Sequence, residues 1–166
     1  MIKKLEILFF RLVVLILILS NSSCSDTNFD VVVVGGGTSG VASAIQSSRL
    51  GSKTLLIEES NWLGGMLTSA GVSAMDGNYK MPSGFLKEFR DSLVSYYGHL
   101  DSLKTGWVSN FMFEPSVGNR ILKDIANQEK NLTILFGSTV SEVVKNENFS
   151  IKINERPSIY KSKILI

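Results

Sequence analysis

The amino-acid sequence predicts an α/β fold built on a parallel sheet, and three observations predict it. Residues 29–34 end in four consecutive β-branched valines and show no polar alternation, as in strands buried on both faces of a sheet. A glycine-rich turn at residues 35–40 and a helix-compatible segment at 41–50 follow at once. A second apolar run occupies residues 53–57. This order of strand, glycine turn, helix and strand is that of a βαβ unit.

Residues 1–23 precede this unit and are predicted to be a secretory signal peptide. Lys3, Lys4 and Arg11 come before an apolar run at 12–19, which is short of the roughly 20 residues that a membrane-spanning helix needs. A true transmembrane anchor is the alternative. Three of the 17 basic and one of the 15 acidic residues lie in this segment, so the remaining chain is formally neutral. Its charge therefore gives no reason to expect nucleic-acid binding.

The only cysteine, Cys24, directly follows this segment. Its position resembles that of a bacterial lipoprotein signal, in which the cysteine becomes the lipid-bearing first residue of the mature chain. The resemblance implies an exported protein of the periplasm or cell envelope, held at the membrane by lipid on Cys24, with residues 24–28 as a short polar linker. Free secretion is the alternative. With one cysteine and His99 as the only histidine, the sequence predicts neither a disulfide nor a metal site.

A long loop and two helices are predicted after the βαβ unit. Residues 61–80 are rich in Gly, Ser and Met and lack a clear period, which favours an ordered loop. Apolar residues then recur at helical spacing over 85–96 and over 117–125, each time after a Pro-Ser pair. Both segments are therefore predicted to be amphipathic helices.

The rest of the chain is predicted to form strands. Residues 132–136 form a third short apolar run, and 140–166 alternate apolar and polar residues in short pieces, which indicates a three-stranded antiparallel meander. The last run, 164–166, is predicted to be a buried strand. Residues 29–166 thus form one predicted domain with three layers: parallel sheet, helices and antiparallel β-meander.

Gly35, Gly37 and Gly40 have the GxGxxG spacing in the context that dinucleotide binding requires, directly after a strand and at the start of a helix. Gly35 permits the tight turn, Gly37 has no Cβ to keep a pyrophosphate from the backbone, and Gly40 lets the helix pack closely on the strand. The backbone N–H groups at the helix start, including those of Thr38 and Ser39, are predicted to face the phosphates.

Glu58 lies at the end of the second predicted strand. A carboxylate there can accept hydrogen bonds from the 2′- and 3′-hydroxyls of a ribose, and it would repel the 2′-phosphate of NADP. A glycine turn of purely structural use is the alternative. The glycines alone do not decide which dinucleotide binds.

The spacing from the glycine motif to Glu58 and then to the doublet Gly64-Gly65, followed by Met66, resembles the FAD-binding oxidoreductases of the glutathione-reductase-like type, a Rossmann-like superfamily. In that superfamily the doublet lies near the pyrophosphate and ribitol of FAD. The resemblance therefore adds Gly64, Gly65 and Met66 to the implied cofactor site. It also matches residues 137–140 to the turn before the meander, where the backbone of Val140 would contact the adenine. A role of Val140 in the core is the alternative.

Other segments resemble a family of bacterial exported FAD-dependent oxidoreductases: residues 64–78, 82–85, 88–90, 106–110 and 113–115. The resemblance implies FAD as cofactor and hydride or electron transfer on a small molecule, with substrate and catalytic residues unassigned. It also implies that the chain is the N-terminal part of the enzyme, with an FAD-binding domain incomplete at its C-terminus. An NAD-binding Rossmann oxidoreductase and a non-catalytic surface lipoprotein with a decayed nucleotide fold are the alternatives.

Overall fold

The computed structural model describes residues 27–75, 77, 80–107, 109, 111–154 and 156–166. The predicted signal peptide and Cys24 lie outside these residues. Across the described part of the chain, no helix combines the length and the apolar character needed to cross a membrane.

The predicted βαβ unit is present. Strand β1 (Asn28–Val34) leads through helix α1 (Thr38–Arg49) to strand β2 (Thr54–Ile57), which pairs with β1 in parallel. The helix begins earlier than predicted because Gly37 is its N-cap, with φ −62° and ψ 174°. At the other end Leu50 is the C-cap, and Gly51 after it takes the left-handed φ of +90° that favours glycine.

Helices α2 (Gly84–Tyr97) and α3 (Pro115–Asn127) confirm the two amphipathic predictions. Pro115 suits the first turn of α3, where its missing N–H would have no helical acceptor. Two short 3-10 turns, Gly65–Leu67 and Leu100–Leu103, complete the helical structure of the described residues. The first of them lies in the predicted loop, whose other described residues belong to no helix or strand apart from single bridges at Gly64 and Ala74.

The six strands of the described residues belong to one sheet in the order β3-β2-β1-β6-β5-β4. Strand β3 (Leu132–Leu135) extends the parallel part beside β2. Strands β4 (Val140–Lys145), β5 (Phe149–Ile153) and β6 (Ile159–Leu165) form the predicted antiparallel meander. Strand β6 also pairs in parallel with β1, so the meander is joined to the centre of the sheet.

The last strand is less buried than predicted. Ile164 is 52% exposed and Ile166 is 54% exposed, so the prediction of a buried run at 164–166 is wrong for these two residues. Only Leu165 of this segment packs on an apolar cluster. Because neighbouring side chains of a strand point to opposite faces, the two isoleucines lie on the other side.

Two apolar clusters sit on opposite faces of the parallel strands, and they establish the three predicted layers. One face packs against helices α1, α2 and α3, and its buried strand residues are Val31, Val33 and Leu56. The other face packs against the meander, and its buried members are Phe29, Val32, Leu55, Ile57, Ile151, Ile153 and Tyr160. The parallel sheet therefore lies between a helical layer and the meander.

Candidate cofactor-binding site

The glycine turn lies at the carboxyl ends of β1 and β2. Gly35 has φ +97°, and its N–H donates a hydrogen bond to the Ile57 carbonyl at 2.8 Å. A Cβ on Gly40 would lie 1.9 Å from the Gly35 carbonyl oxygen and 3.5 Å from Cγ1 of Val33. The start of α1 can therefore pack on the turn and strand only because position 40 is glycine, in agreement with its predicted packing role.

Space is open beside the start of helix α1. A Cβ on Gly37 would meet nothing within 4 Å, and no side chain caps this helix end. The first helical hydrogen bond runs from the Val41 N–H to the Gly37 carbonyl at 2.9 Å. The N–H groups of Thr38, Ser39 and Gly40 come before it and have no acceptor within the helix. An open helix N-terminus of this kind suits an anionic group such as a pyrophosphate.

The glycine doublet lies directly against the glycine turn. Gly37 and Gly64 form a parallel bridge, and the Gly64 N–H donates to the Gly36 carbonyl at 2.7 Å. The Thr38 hydroxyl donates to the Gly64 carbonyl at 2.9 Å. A Cβ on Gly65 would lie 3.0 Å from Cα of Gly37. The structure therefore brings four of the predicted site residues, Gly37, Thr38, Gly64 and Gly65, into contact.

Helix α3 holds the doublet in place. Oδ1 of Asn119 accepts a hydrogen bond from the Leu63 N–H at 2.9 Å, and Nζ of Lys123 donates to the Asn61 carbonyl at 2.6 Å. Gly64 has φ +109°, and a Cβ there would lie 2.7 Å from Cδ1 of Leu122. Sequence reasoning did not identify these helix residues as supports of the site. No local signal marks them, because the contacts depend on how a distant helix packs.

Glu58 lies at the end of β2 beside the glycine turn, where the sequence places it. It is 9% exposed, and its Oε2 accepts a hydrogen bond from the Gly36 N–H at 2.6 Å. Its Oε1 accepts from the N–H of Ser60 at 2.8 Å and from the hydroxyl of Ser60 at 2.6 Å. A carboxylate offers about four lone-pair sites, so about one remains for a ribose hydroxyl. The predicted pair of ribose hydrogen bonds stays a prediction.

The remaining predicted residues lie around this centre. Ser39 is exposed in the first turn of α1, and Met66 is 64% exposed in the 3-10 turn after the doublet. Val140 begins β4, half-buried, and packs on the cluster shared with the meander. The turn before it contacts the end of β2, because the Ser138 N–H donates to the Glu58 carbonyl at 3.0 Å.

A glycine turn that opens a helix, with a carboxylate at the end of the next strand, defines a Rossmann-like dinucleotide-binding domain. Solved structures show the same fold. The closed structure of cyclohexanone monooxygenase superposes with a TM-score of 0.56 at 17% identity, covering 85% of this chain and 25% of that one. The bacillithiol disulfide reductase of Staphylococcus aureus superposes with a TM-score of 0.51 at 20% identity, covering 84% of this chain and 38% of that one.

Residues 30–166 match the family model of the FAD dependent oxidoreductases, and the chain belongs to that family. Dihydrolipoyl dehydrogenase 1, mitochondrial, of Arabidopsis thaliana is 50% identical over 50 residues, which are 30% of this chain and 10% of that protein. The NADH:fumarate oxidoreductase of Klebsiella pneumoniae (strain 342) is 29% identical over 132 residues, covering 78% of this chain and 13% of that protein. Membership of this family confirms the predicted family of FAD-dependent oxidoreductases and the prediction of FAD as cofactor, over the NAD-binding alternative.

Proposed function

We propose that this chain forms the FAD-binding part of an exported oxidoreductase that acts on a small molecule. The observation that carries the proposal is the bridge between Gly37 and Gly64, which sets the glycine doublet against the turn beside an open helix N-terminus. The residues present fit a dinucleotide there. When bound, FAD supplies hydride or electron transfer, and the protein binds and orients it.

Backbone groups would carry most of the pyrophosphate binding. The ten predicted site residues include no Lys or Arg. The N–H groups of Thr38, Ser39 and Gly40 and the positive end of the α1 dipole would therefore hold the phosphates. Glu58 would accept a hydrogen bond from the adenosine ribose, and the backbone of Val140 would lie against the adenine.

The substrate and the electron acceptor would be bound by parts of the complete protein outside these 166 residues. This part of the proposal is supported by length, since the chain spans 10% and 13% of the two curated relatives above. The described residues give no reason to assign a catalytic side chain.

Lipid on Cys24 would hold the protein at the membrane, in the periplasm or cell envelope of a bacterium. The support is the sequence of residues 1–23, with its basic start and short apolar run, and the position of the cysteine after it. Cys24→Ser should move the protein from the membrane fraction to the soluble fraction. A Cys24→Ser protein that stays membrane-bound would contradict lipid anchoring and support an anchor formed by residues 1–23.

Titration of the full chain with FAD tests the cofactor site. We expect quenching of flavin fluorescence, a visible flavin spectrum that stays with the protein on gel filtration, and no comparable response to NADH. Circular dichroism in parallel reports whether the chain is folded. A folded chain that takes up no FAD would contradict the proposal and favour the non-catalytic alternative.

A further inference from the structure

Ser60 makes more contacts around the predicted adenosine site than its place in a loop suggests. Its N–H and its hydroxyl both donate to Oε1 of Glu58, at 2.8 and 2.6 Å. Its hydroxyl oxygen accepts from the Trp62 N–H at 3.0 Å, and its carbonyl accepts from the Gly137 N–H at 3.3 Å. One half-buried serine thus joins the end of β2, the loop before the doublet and the turn before β4.

The hydroxyl proton of Ser60 has two acceptors within reach but can serve only one of them well. The Glu58 carboxylate is at 2.6 Å and the Trp62 carbonyl is at 3.2 Å. The shorter contact goes to a charged acceptor, and hydrogen bonds to charged groups are the stronger ones. We therefore infer that the Ser60 hydroxyl donates its hydrogen bond to the Glu58 carboxylate.

The direction of the Ser60 hydrogen bond determines which carboxylate oxygen of Glu58 can accept a hydrogen bond from a ligand. Two donors from Ser60 occupy both lone-pair sites of Oε1, whereas Oε2 receives one donor, the Gly36 N–H at 2.6 Å. Because Glu58 is 9% exposed, water cannot surround the carboxylate and let it turn freely. Ser60 thereby fixes the orientation that leaves a lone pair of Oε2 for a ligand.

We propose that Ser60 is a positioning residue for the adenosine half of FAD: it holds the Glu58 carboxylate so that Oε2 meets the ribose, and it sets the start of the loop that carries Gly64 and Gly65. The proposal rests on the FAD site proposed above. It concerns adenosine alone, so it also applies to ADP, which has the same ribose and no flavin.

Four variants of the full chain test it: Ser60→Ala, Ser60→Thr, Ser60→Val and Glu58→Gln. Loss of the hydroxyl should lower the affinities for FAD and for ADP alike, by about tenfold, as expected for one hydrogen bond to a charged group. Thr keeps the hydroxyl and should bind nearly as well as the native chain. Val has the shape of Thr without the hydroxyl, so the Thr and Val pair isolates the hydroxyl even if Ser60→Ala does not fold.

A double-mutant cycle identifies Glu58 as the group through which Ser60 acts. In the Glu58→Gln background, Ser60→Val should change FAD affinity little relative to Ser60→Thr, because the carboxylate to be oriented is gone. Ser92→Ala, which removes a serine hydroxyl bonded to the Glu88 carbonyl in α2, is the control and should bind FAD normally.

Equal FAD affinity of the Thr and Val variants would overturn the role of Ser60 while leaving the FAD site intact. The role would also be overturned if Ser60→Val lowered FAD affinity relative to Ser60→Thr by the same factor in the Glu58→Gln background as with Glu58 present. The hydroxyl would then act independently of the carboxylate. A folded native chain that binds neither FAD nor ADP would overturn the FAD site itself, and Ser60 with it.

Discussion

Gly37 and Gly64 pair across a parallel bridge, although one belongs to the turn after β1 and the other to the loop after β2. The bridge brings two backbone segments together at the open end of helix α1. It also requires a residue without a side chain next to it, because a Cβ on Gly65 would lie 3.0 Å from Cα of Gly37. The two glycine motifs of the sequence therefore form one site.

Alanine at position 37 should weaken FAD binding without affecting folding, whereas alanine at position 40 should reduce stability. A Cβ on Gly37 meets nothing within 4 Å, and its φ of −62° suits alanine, so Gly37→Ala should fold normally. Its methyl would enter the space predicted for the pyrophosphate, and FAD affinity should fall at least tenfold, about 1.4 kcal/mol. Fluorescence titration with FAD measures this loss. Native-like FAD affinity of Gly37→Ala would show that the pyrophosphate lies elsewhere.

Gly40→Ala is the matched counterpart, and it should reduce stability. Its Cβ would lie 1.9 Å from the Gly35 carbonyl oxygen, so the helix start or the turn must move. We expect a loss of about 1–3 kcal/mol in the free energy of unfolding, the usual range for overpacking. Urea denaturation of the two alanine variants against the native chain measures the contrast.

Gly64 and Gly51 offer a second matched pair, since both have left-handed φ values, +109° and +90°. Gly51→Ala has open space around the new methyl, so only backbone strain should lower its free energy of unfolding, by about 1–2 kcal/mol. Gly64→Ala adds close contacts of 2.7 Å with Leu122 and Thr68, and should cost about 1–3 kcal/mol more. Equal unfolding free energies for the two variants would contradict the tight packing of the doublet on α3.

Arg49 links α1 to α2 and to the segment before β3. Its guanidinium pairs with both carboxylate oxygens of Glu88, at 2.7 and 2.8 Å, and with Oε1 of Glu129 at 2.7 Å. About a third of the Arg49 and Glu88 side chains is exposed, so solvent screens the pair. Arg49→Gln should therefore cost only about 0.5–1 kcal/mol at neutral pH, as measured by urea denaturation.

The same pair predicts a pH dependence. Hydrogen bonding to Arg49 lowers the pKa of Glu88 below its ordinary value of 4.5, against desolvation, which raises it. A lowered folded-state pKa contributes stability above pH 4.5 that is lost as the pH falls through the folded value. The difference in unfolding free energy between the native chain and Arg49→Gln should shrink in acid. A difference that stays constant below pH 4.5 would contradict this contribution of Glu88.

The sequence predicts the centre of this site well because its signals are local. The order of β1, the glycine turn and α1 follows from residues close together in the chain, and the structure places Glu58 where that order requires. The packing role of Gly40 is likewise predicted from the turn alone, because it depends on contacts with Gly35 and Val33 in the same βαβ unit. The position of Gly64 beside the turn is implied only by the family resemblance.

The supports of the site could not be predicted in the same way. Asn119 and Lys123 meet their partners only after helix α3 has packed on the loop before the doublet, and nothing in their own neighbourhood indicates those contacts. Ser60 is a partial exception, since a serine two residues after a carboxylate can bond back to it. The exposure of Ile164 also depends on tertiary structure, because strand character alone does not say which face is covered.

The place of β6 in the sheet constrains the order in which this chain can fold. Strand β1 is among the first described residues to be synthesised, yet it pairs with β6, where Val31 lies opposite Ile164. A ribosome must therefore have made residues 31–164 before β6 can take its place beside β1. Such distant pairing slows folding.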